Sequence, residues 1–335
     1  MASNCDQVFV NEELKYVREK LTELVEGTEL IACHLALVQV KVKRTKYRQM
    51  TVHLQFSQDY PQSGILIELK SKTLSEKLLN KLVDICDQEM KKYSGKQQIV
   101  PVIRFIKKFL DENPFCVCSE ELNHIKKNII NAENDEFKVK TKSGIISVNI
   151  NQDRFNMAFR ITVPDKYPAE SVRIEETSSN FPTYLRKVFL SQAEEIARKC
   201  VSKPLKKNPK AMPFEPKPSL QAVFEFLVND CIRRYPTEVC PLCQQRTLPE
   251  NPAEVLKDPS DPNHLERVYC SHIYHYGCLD KYMKTPPFKD KKCPACKSVI
   301  YHEKWNVTPK VAEDRWAHKQ AKQRELEEVV DFLAD

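Results

Sequence analysis

Between Cys240 and Cys296 the chain carries eight side chains suited to a soft metal, at a spacing that leaves room for little except a metal-organised fold. The segment reads CPLC, then 26 residues without a further Cys, then CSHIYHYGC, then 14 residues and CPAC. The candidate ligands are Cys240, Cys243, Cys270, His272, His275, Cys278, Cys293 and Cys296. Each C-x2-C pair sets two thiolates on one tight turn, where both reach a single ion at about 2.3 Å per Zn–S contact. The middle block crowds four ligands into nine residues, too close to close readily on one tetrahedral ion. Eight ligands therefore imply two four-coordinate zinc sites per chain, both closed by protein, with no open position for a catalytic water. His264 and His302 flank the set at the wrong spacing and read as surface histidines.

The order of ligands, with His at the fourth and fifth positions, resembles the RING-H2 finger family. A PHD-type finger, the nearest rival, wants Cys at the fourth position, where His272 stands. The resemblance implies that ligands alternate in pairs: Cys240, Cys243, His275 and Cys278 around one zinc, Cys270, His272, Cys293 and Cys296 around the other. It also implies a shallow groove that docks a ubiquitin-charged conjugating enzyme (E2), at positions matching Leu242, Tyr282 and Pro294. Leu242 and Pro294 could equally fill space around the metal turns. The family often has Trp where Tyr282 stands, and active members commonly put Arg directly after the eighth ligand to clasp E2 and ubiquitin together. Lys297 stands there, keeping the charge but losing the planar fork.

Upstream, the chain repeats itself at a fixed offset of 107 residues. Val52 matches Phe159, Leu54 matches Ile161, Phe56 matches Val163, Tyr60-Pro61 matches Tyr167-Pro168, Ile65 matches Val172 and Ile67 matches Ile174. Apolar periodicity predicts a helix over 11–26, extended segments around Leu30–Val42 and Gln49–Phe56, a strand over Ile65–Leu69, a helix with Leu74, Leu78, Leu79, Leu82, Cys86 and Met90 on its apolar side, and a helix over Val102–Leu110. In the second copy it predicts a helix over Glu120–Ile130 that buries Leu122, Ile125 and Ile129, strands near Glu136–Thr141, Ile145–Ile150 and Asn156–Val163, and helices over Thr183–Cys200 and Ser219–Arg233. The first two thirds thus read as a tandem α+β duplication. Each unit, with Tyr-Pro after its third strand and two closing helices, resembles the RWD family, similar in fold to ubiquitin-conjugating enzymes without their chemistry. The family's further Pro shortly after Tyr-Pro is absent from both Gln62–Leu66 and Ala169–Arg173. No His-Pro-Asn triplet follows either sheet, and Cys86 and Cys200 fall on apolar helix faces, where a thiol is a poor nucleophile. Both units are expected to bind partners rather than carry ubiquitin.

Composition narrows the rest. Five glycines in 335 residues exclude a Gly-rich phosphate or dinucleotide loop. The net charge of +7 is mild for this length, so no nucleic acid is expected, with KVKRTKYR (Lys41–Arg48) and Lys203–Lys217 as the segments that would carry one. No apolar run reaches the roughly 18 residues of a membrane span, and the opening residues lack a signal-peptide pattern. The seven Cys outside the finger, among them Cys116 and Cys118, show no framework spacing. An intracellular, reducing compartment is expected.

The expected architecture is α+β: RWD-like domain 1 over 1–115, RWD-like domain 2 over 116–235 with a Lys/Pro-rich insertion at 203–218, a RING-H2 finger over 236–303 and a helical tail over 304–335. In that tail Trp316, Leu326, Val329, Val330 and Leu333 fall at helical spacing and are expected to pack back on the second unit or the finger, the alternative being a helix offered to a partner. The expected function is that of a RING-type ubiquitin ligase (E3) binding E2 and ubiquitin, its RWD-like units recruiting a substrate or complex partner; the alternative is a non-catalytic RING/RWD scaffold.

Overall fold

In the computed structural model, which describes residues 4–203, 214–305 and 307–334, the chain divides into two compact units. One takes Met1–Ile150, Ala158–Ser178 and Lys187–Val228; the other takes Asn151–Met157, Ser179–Arg186 and Asn229–Asp335.

The first unit opens with α1 (Asn4–Leu24), followed by strands β1 (Thr28–His34), β2 (Leu37–Lys43), β3 (Gln49–Gln55) and β4 (Leu66–Lys70), then α2 (Glu76–Met90) and α3 (Ile99–Glu112). The four strands form one antiparallel sheet in sequence order. Register pairs Val40 with Val52 and Val38 with Leu54, so the apolar alternates share a face, and all four are 0 % exposed. A one-residue slip would turn the whole set to water. Leu14, Val17 and Leu21 of α1 and Val102, Ile106 and Leu110 of α3 complete this core.

The extended segment expected over Leu30–Val42 is two strands, with the hairpin turn at Leu35-Ala36. Only β2 has the strict alternation, while β1 is half-exposed along its length and carries a register shift between Leu30 and Ala32. The first helix begins seven residues before the expected Asn11.

The sequence offset is also a structural one. Strands β5 (Glu136–Lys140), β6 (Ile145–Gln152), β7 (Phe155–Thr162) and β8 (Arg173–Ser179) form a second four-stranded sheet in the same order. Before it, α4 (Ser119–His124) continues through wider turns to Ile129; after it comes α5 (Thr183–Val201). Adding 107 to β1–β4 and α2 lands on β5–β8 and α5. The last helix, α6 (Leu220–Phe224, continuing in wide turns to Arg233), starts 121 residues after α3, so 14 residues enter between α5 and α6. The expected insertion at 203–218 occupies that gap, and its residues 204–213 lie outside the described ones. Leu122, expected in the core, is half-buried, while Ile125 and Ile129 are buried.

Each repeat holds the same buried polar knot. In the first, the Tyr60 hydroxyl donates to Glu13, and Glu13 Oε1 accepts the N–H groups of Gln98 and Ile99 at 2.8 Å each, capping α3. In the second, the Tyr167 hydroxyl donates to Glu121 Oε2 at 2.7 Å and accepts the Ser219 N–H at 2.7 Å, while Glu121 Oε1 accepts the Gln221 N–H at 3.0 Å. Each knot satisfies N–H groups that a helix start leaves without intrahelical partners. Both Tyr-Pro bonds are cis.

Both arginines of KVKRTKYR are engaged within the fold, while Lys43 and Lys46 are exposed. Arg48 is 1 % exposed and donates to Asp165 Oδ1 at 2.6 Å and to the Leu110 carbonyl at 3.1 Å, and Arg44 reaches Asp165 at 3.2 Å and Asp111 at 3.4 Å. Burial pushes the Cys86 thiol up to about 12 and the Cys116 thiol up to about 11. Half-buried Cys200 is raised too, first by burial.

In the second unit, β9 (Leu265–Arg267) and β10 (Ile273–His275) form an antiparallel hairpin, followed by α7 (Tyr276–Met283) and α8 (Pro309–Ala334). The packing expected of α8 holds for Trp316, whose ring lies 6.2 Å from that of Phe288. It fails for Leu326, Val329 and Val330, which are 59, 57 and 57 % exposed. The side chain of Leu333 lies outside the described ones. No helix among the described residues is long and apolar enough to cross a membrane.

Candidate metal centre

The two C-x2-C turns are built alike. The Gln244 N–H donates to the Cys240 carbonyl at 2.8 Å and the Cys240 N–H to the Gln245 carbonyl at 2.8 Å. The Lys297 N–H donates to the Cys293 carbonyl at 2.8 Å and the Cys293 N–H to the Ser298 carbonyl at 2.7 Å. Isolated bridges, Val239 to Arg246 and Lys292 to Val299, close each turn. The residue after each second Cys takes a left-handed backbone, Gln244 at φ 60° and Lys297 at φ 64°. That folds the chain back and turns both sulfurs of a pair to the same side.

The β9–β10 hairpin supplies the middle ligands. Cys270 and His272 sit in its turn, which the Ser271 and Val268 N–H groups close at 2.9 and 3.1 Å. His275 ends β10 and Cys278 lies in the first turn of α7. The start of α7 is held by the loop before it: the Tyr276 and Gly277 N–H groups donate to the His264 and Pro262 carbonyls at 2.7 and 2.8 Å. A Cβ at Gly277 would stand 2.9 Å from Pro262 Cβ, so only glycine permits that approach.

The fold gathers the eight side chains into two groups. Cys240, Cys243, His275 and Cys278 form one and Cys270, His272, Cys293 and Cys296 the other, with donor atoms inside each group within 4.8 Å of one another. In a tetrahedral zinc site, Zn–S of about 2.3 Å and Zn–N of about 2.0 Å put ligand atoms roughly 3.5 Å apart. Cys243 Sγ lies 3.2 Å from His275 Nδ1, and Cys270 Sγ lies 3.5 Å from His272 Nδ1. Outer contacts fit as well. His275 Nε2 is 3.0 Å from the Arg246 carbonyl, a bond that leaves Nδ1 for a metal, and the Tyr274 hydroxyl is 2.9 Å from Cys293 Sγ. Both groups can hold a metal ion.

Electrostatics without a cation opposes this crowding. Burial first, then the neighbouring thiols Cys243 and Cys240, push Cys278 up to about 12. Burial and the Cys293 and Cys296 thiols push Cys270 up to about 11. Cys296 goes the other way, to about 6, because the Ser298 hydroxyl and N–H point at its sulfur. A bound dication would invert the unfavourable cases, since it favours every thiolate at once.

Beneath the groups lies a small core of Val268, Tyr274, Leu279 and Ile300, against which Leu242, Tyr282 and Trp305 pack. Leu242, Tyr282 and Pro294 are half-buried and Lys297 is exposed. The Tyr282 hydroxyl donates to the Lys292 carbonyl at 2.8 Å, and Lys291 Nζ stands 4.3 Å from its ring centre. Lys297 Nζ donates to the Pro294 carbonyl at 3.1 Å.

The two flanking histidines are not surface residues. His264 is 7 % exposed, with its ring 5.1 Å from that of Tyr184. His302 Nε2 lies 2.9 Å from Glu266 Oε1, and its ring lies 4.8 Å from Trp305. Both fasten loops around the finger, a task that spacing relative to the Cys residues cannot disclose. Glu13, Glu121 and Arg48 were also invisible as anchors. The two Glu stand 108 residues apart, next to the 107-residue register, and that near-match was the available signal.

Residues 8–110 match the family described as the RWD domain, the segment that forms the first sheet with α1–α3. No curated protein matches the chain.

Proposed function

We propose that this chain is a RING-type ubiquitin ligase whose finger holds two zinc ions. Cys240, Cys243, His275 and Cys278 would bind one, and Cys270, His272, Cys293 and Cys296 the other. The observation that carries the reading is the alternation of the two groups: ligand pairs one and three share a group, as do pairs two and four. That pattern makes a cross-braced platform rather than two beads on a string. Zinc, when bound, supplies folding energy to a small core that could not stand alone.

The chain's own residues would do the rest. Leu242, Tyr282 and Pro294 would present an apolar edge to E2. Lys297, held by its left-handed backbone beside the last ligand, would offer a cation to E2 and ubiquitin together. Restricting the tethered ubiquitin raises the frequency of productive attack by a substrate lysine, with no covalent intermediate on the ligase. The RWD domain and the repeat that copies its order, which we read as a second RWD-like unit, would recruit a substrate or partner. An intracellular location follows from a finger that needs reduced thiols.

The test is discharge of ubiquitin from charged E2 enzymes to free lysine by the full chain, with metal content measured on the same sample. Two zinc ions per chain with accelerated discharge that Leu242→Ala abolishes supports the reading. Two zinc ions without stimulation of any E2 moves it to the second reading, a scaffold in a larger complex, which Lys297 in place of Arg favours. No bound metal sinks both.

A further inference from the structure

Beside the last strand of the first sheet runs a groove of about 610 Å³, walled by β4 on one side and α2 on the other. β4 ends the sheet in the order β1-β2-β3-β4, so alternate residues of Leu66–Lys70 turn their N–H and C=O groups away from β3. No group among the described residues takes those outward bonds. An unpaired edge of this kind is a template for one more strand. The helix wall is one stripe of α2, Glu76, Leu79, Asn80, Val83 and Asp84, at i, i+3, i+4, i+7 and i+8. Leu79 is buried, Val83 and Ile67 of β4 are half-buried, and Glu76, Asn80 and Asp84 are exposed.

The groove is acidic. Of its lining side chains Glu68, Glu76 and Asp84 are acids and Lys70 alone is basic, and Glu68 already holds Lys70 at 3.0 Å. Glu76 and Asp84 make no ion pair among the described residues. Asp87, the next residue of the stripe, is raised above the usual range of an Asp carboxyl first by burial and then by the charge of Asp84, with Lys91 opposing. A cation placed beside the two acids would relieve that repulsion. The second repeat does not keep the stripe: at the 107-residue offset the lining positions of α2 read Thr183, Arg186, Lys187, Leu190 and Ser191. Both lining acids are gone and two cations stand in their neighbourhood, so the acidic wall belongs to the first repeat.

We propose that the groove between β4 and α2 binds an extended segment of a partner protein as a fifth strand of the sheet, with apolar side chains at alternate positions on Ile67, Leu79 and Val83 and a Lys or Arg on Asp84. Main-chain bonds to β4 supply affinity without regard to sequence, the alternate side chains seat on the apolar wall, and the cation selects the partner. A second copy suits the edge less, because β4 paired antiparallel with itself about its centre sets Glu68 against Glu68. The inference rests on reading the RWD domain as a recruiting module and holds for a ligase and a scaffold alike.

The probe is a library of random short peptides displayed on phage and selected on the full zinc-loaded chain. We expect enriched peptides to alternate apolar and polar residues and to carry Lys or Arg towards one end. Added at about ten times its Kd, such a peptide should slow hydrogen exchange at the outward amides of β4 about tenfold. Glu76→Thr with Asp84→Ser, which installs the second repeat's residues at exposed positions, should weaken binding at least about tenfold, with circular dichroism and zinc content unchanged. Asp84→Lys should turn the selection towards peptides with Glu or Asp in place of the cation. Discharge of ubiquitin to free lysine needs no recruited segment, so wild type and variants should match in it, and its failure is read apart from that of the groove. No enrichment on the full chain overturns the proposal. Peptides that leave exchange at β4 unchanged, peptides without a cation that ignore both variants, or β4 amides that become protected as the chain alone pairs with a second copy overturn it too.

Discussion

Tyr167 and Glu121 meet at 2.7 Å across the second repeat, as Tyr60 and Glu13 meet across the first. In both, the hydroxyl and carboxylate together cap the start of the last helix. Tyr167→Phe removes the hydroxyl that accepts the Ser219 and Leu220 N–H groups at 2.7 and 3.0 Å. Two buried donors lose their partner, and the expected cost is about 2 kcal/mol, read as a lower denaturant midpoint and faster hydrogen exchange at the start of α6.

The same carboxylates set a pH response. Burial is the largest influence on Glu13 and Glu121 and raises both above 4.5, despite the hydrogen bonds that favour their charged forms. A carboxyl raised on folding takes up its proton sooner in the folded state, so stability contributed by these two rises as pH falls through the folded pKa values towards 4.5. Asp165 has the opposite sign. Burial raises it, but Arg44 and Arg48 outweigh this and hold it below 3.8, so its contribution is present above 3.8 and lost as pH falls through the lower folded value. The double variant Glu13→Gln, Glu121→Gln should flatten the rise between neutral pH and 4.5 and leave the loss below 3.8 in place. Urea midpoints of both proteins across that range decide it, with any titration of the Cys/His groups common to the two.

Arg48 and Asp165 should respond unequally to substitution. Asp165→Asn strands a guanidinium that is 1 % exposed, whereas Arg48→Met leaves a carboxylate that is 61 % exposed and can return to water. The first is expected to cost about 2 kcal/mol more than the second. Equal losses would mean that Leu110 and Arg44 hold the site without the ion pair.

What could be read in advance, and what could not, divides by the range of the interaction. The eight Cys and His side chains were legible as candidates because a metal constrains residue type and spacing together, and the structure gathers them into two groups that could hold metal ions. Strands β2 and β3 were legible because alternation at Val38, Val40, Val52 and Leu54 is a local pattern, whereas β8 was not among the expected strands and its burial does not alternate cleanly. The turn at Leu35-Ala36 was hidden because β1, half-exposed, has no clean period. Arg48 looked like part of a basic patch because its partner is 117 residues away. The stripe at Leu326, Val329 and Val330 has core-like spacing, and sequence alone does not say whether anything lies opposite.

Tyr274 tests the outer contacts of the metal groups. Its hydroxyl, 2.9 Å from Cys293 Sγ, steadies one sulfur of the second group. Tyr274→Phe keeps all eight ligands and the ring that fills the small core, so two metal ions per chain should remain. The affinity of the second group should fall about tenfold, the lower end of what lost outer-shell bonds cost. Competition with a graded chelator should show one ion leaving earlier than in the wild type and the other unchanged; two ions leaving together as before would deny the hydroxyl a role.

Lys297 separates a working clasp from a vestige. Its φ of 64° fixes where the side chain starts, and its Nζ now donates to the Pro294 carbonyl at 3.1 Å. That bond lies on a residue matched to the E2-facing edge, so the ammonium is already at the surface where the proposed complex forms. Arg in its place can accept the same backbone, since the turn depends on main-chain bonds to Cys293 and not on the side chain. Its fork would add a second directed donor to whichever carbonyl or carboxylate E2 and ubiquitin present. If the chain is a ligase, Lys297→Arg should raise discharge several-fold, about 1 kcal/mol of added transition-state stabilisation, and Lys297→Ala should lower it, with zinc content the same in all three. A rate indifferent to both substitutions, in a protein that still depends on Leu242, would place the clasp elsewhere on the finger.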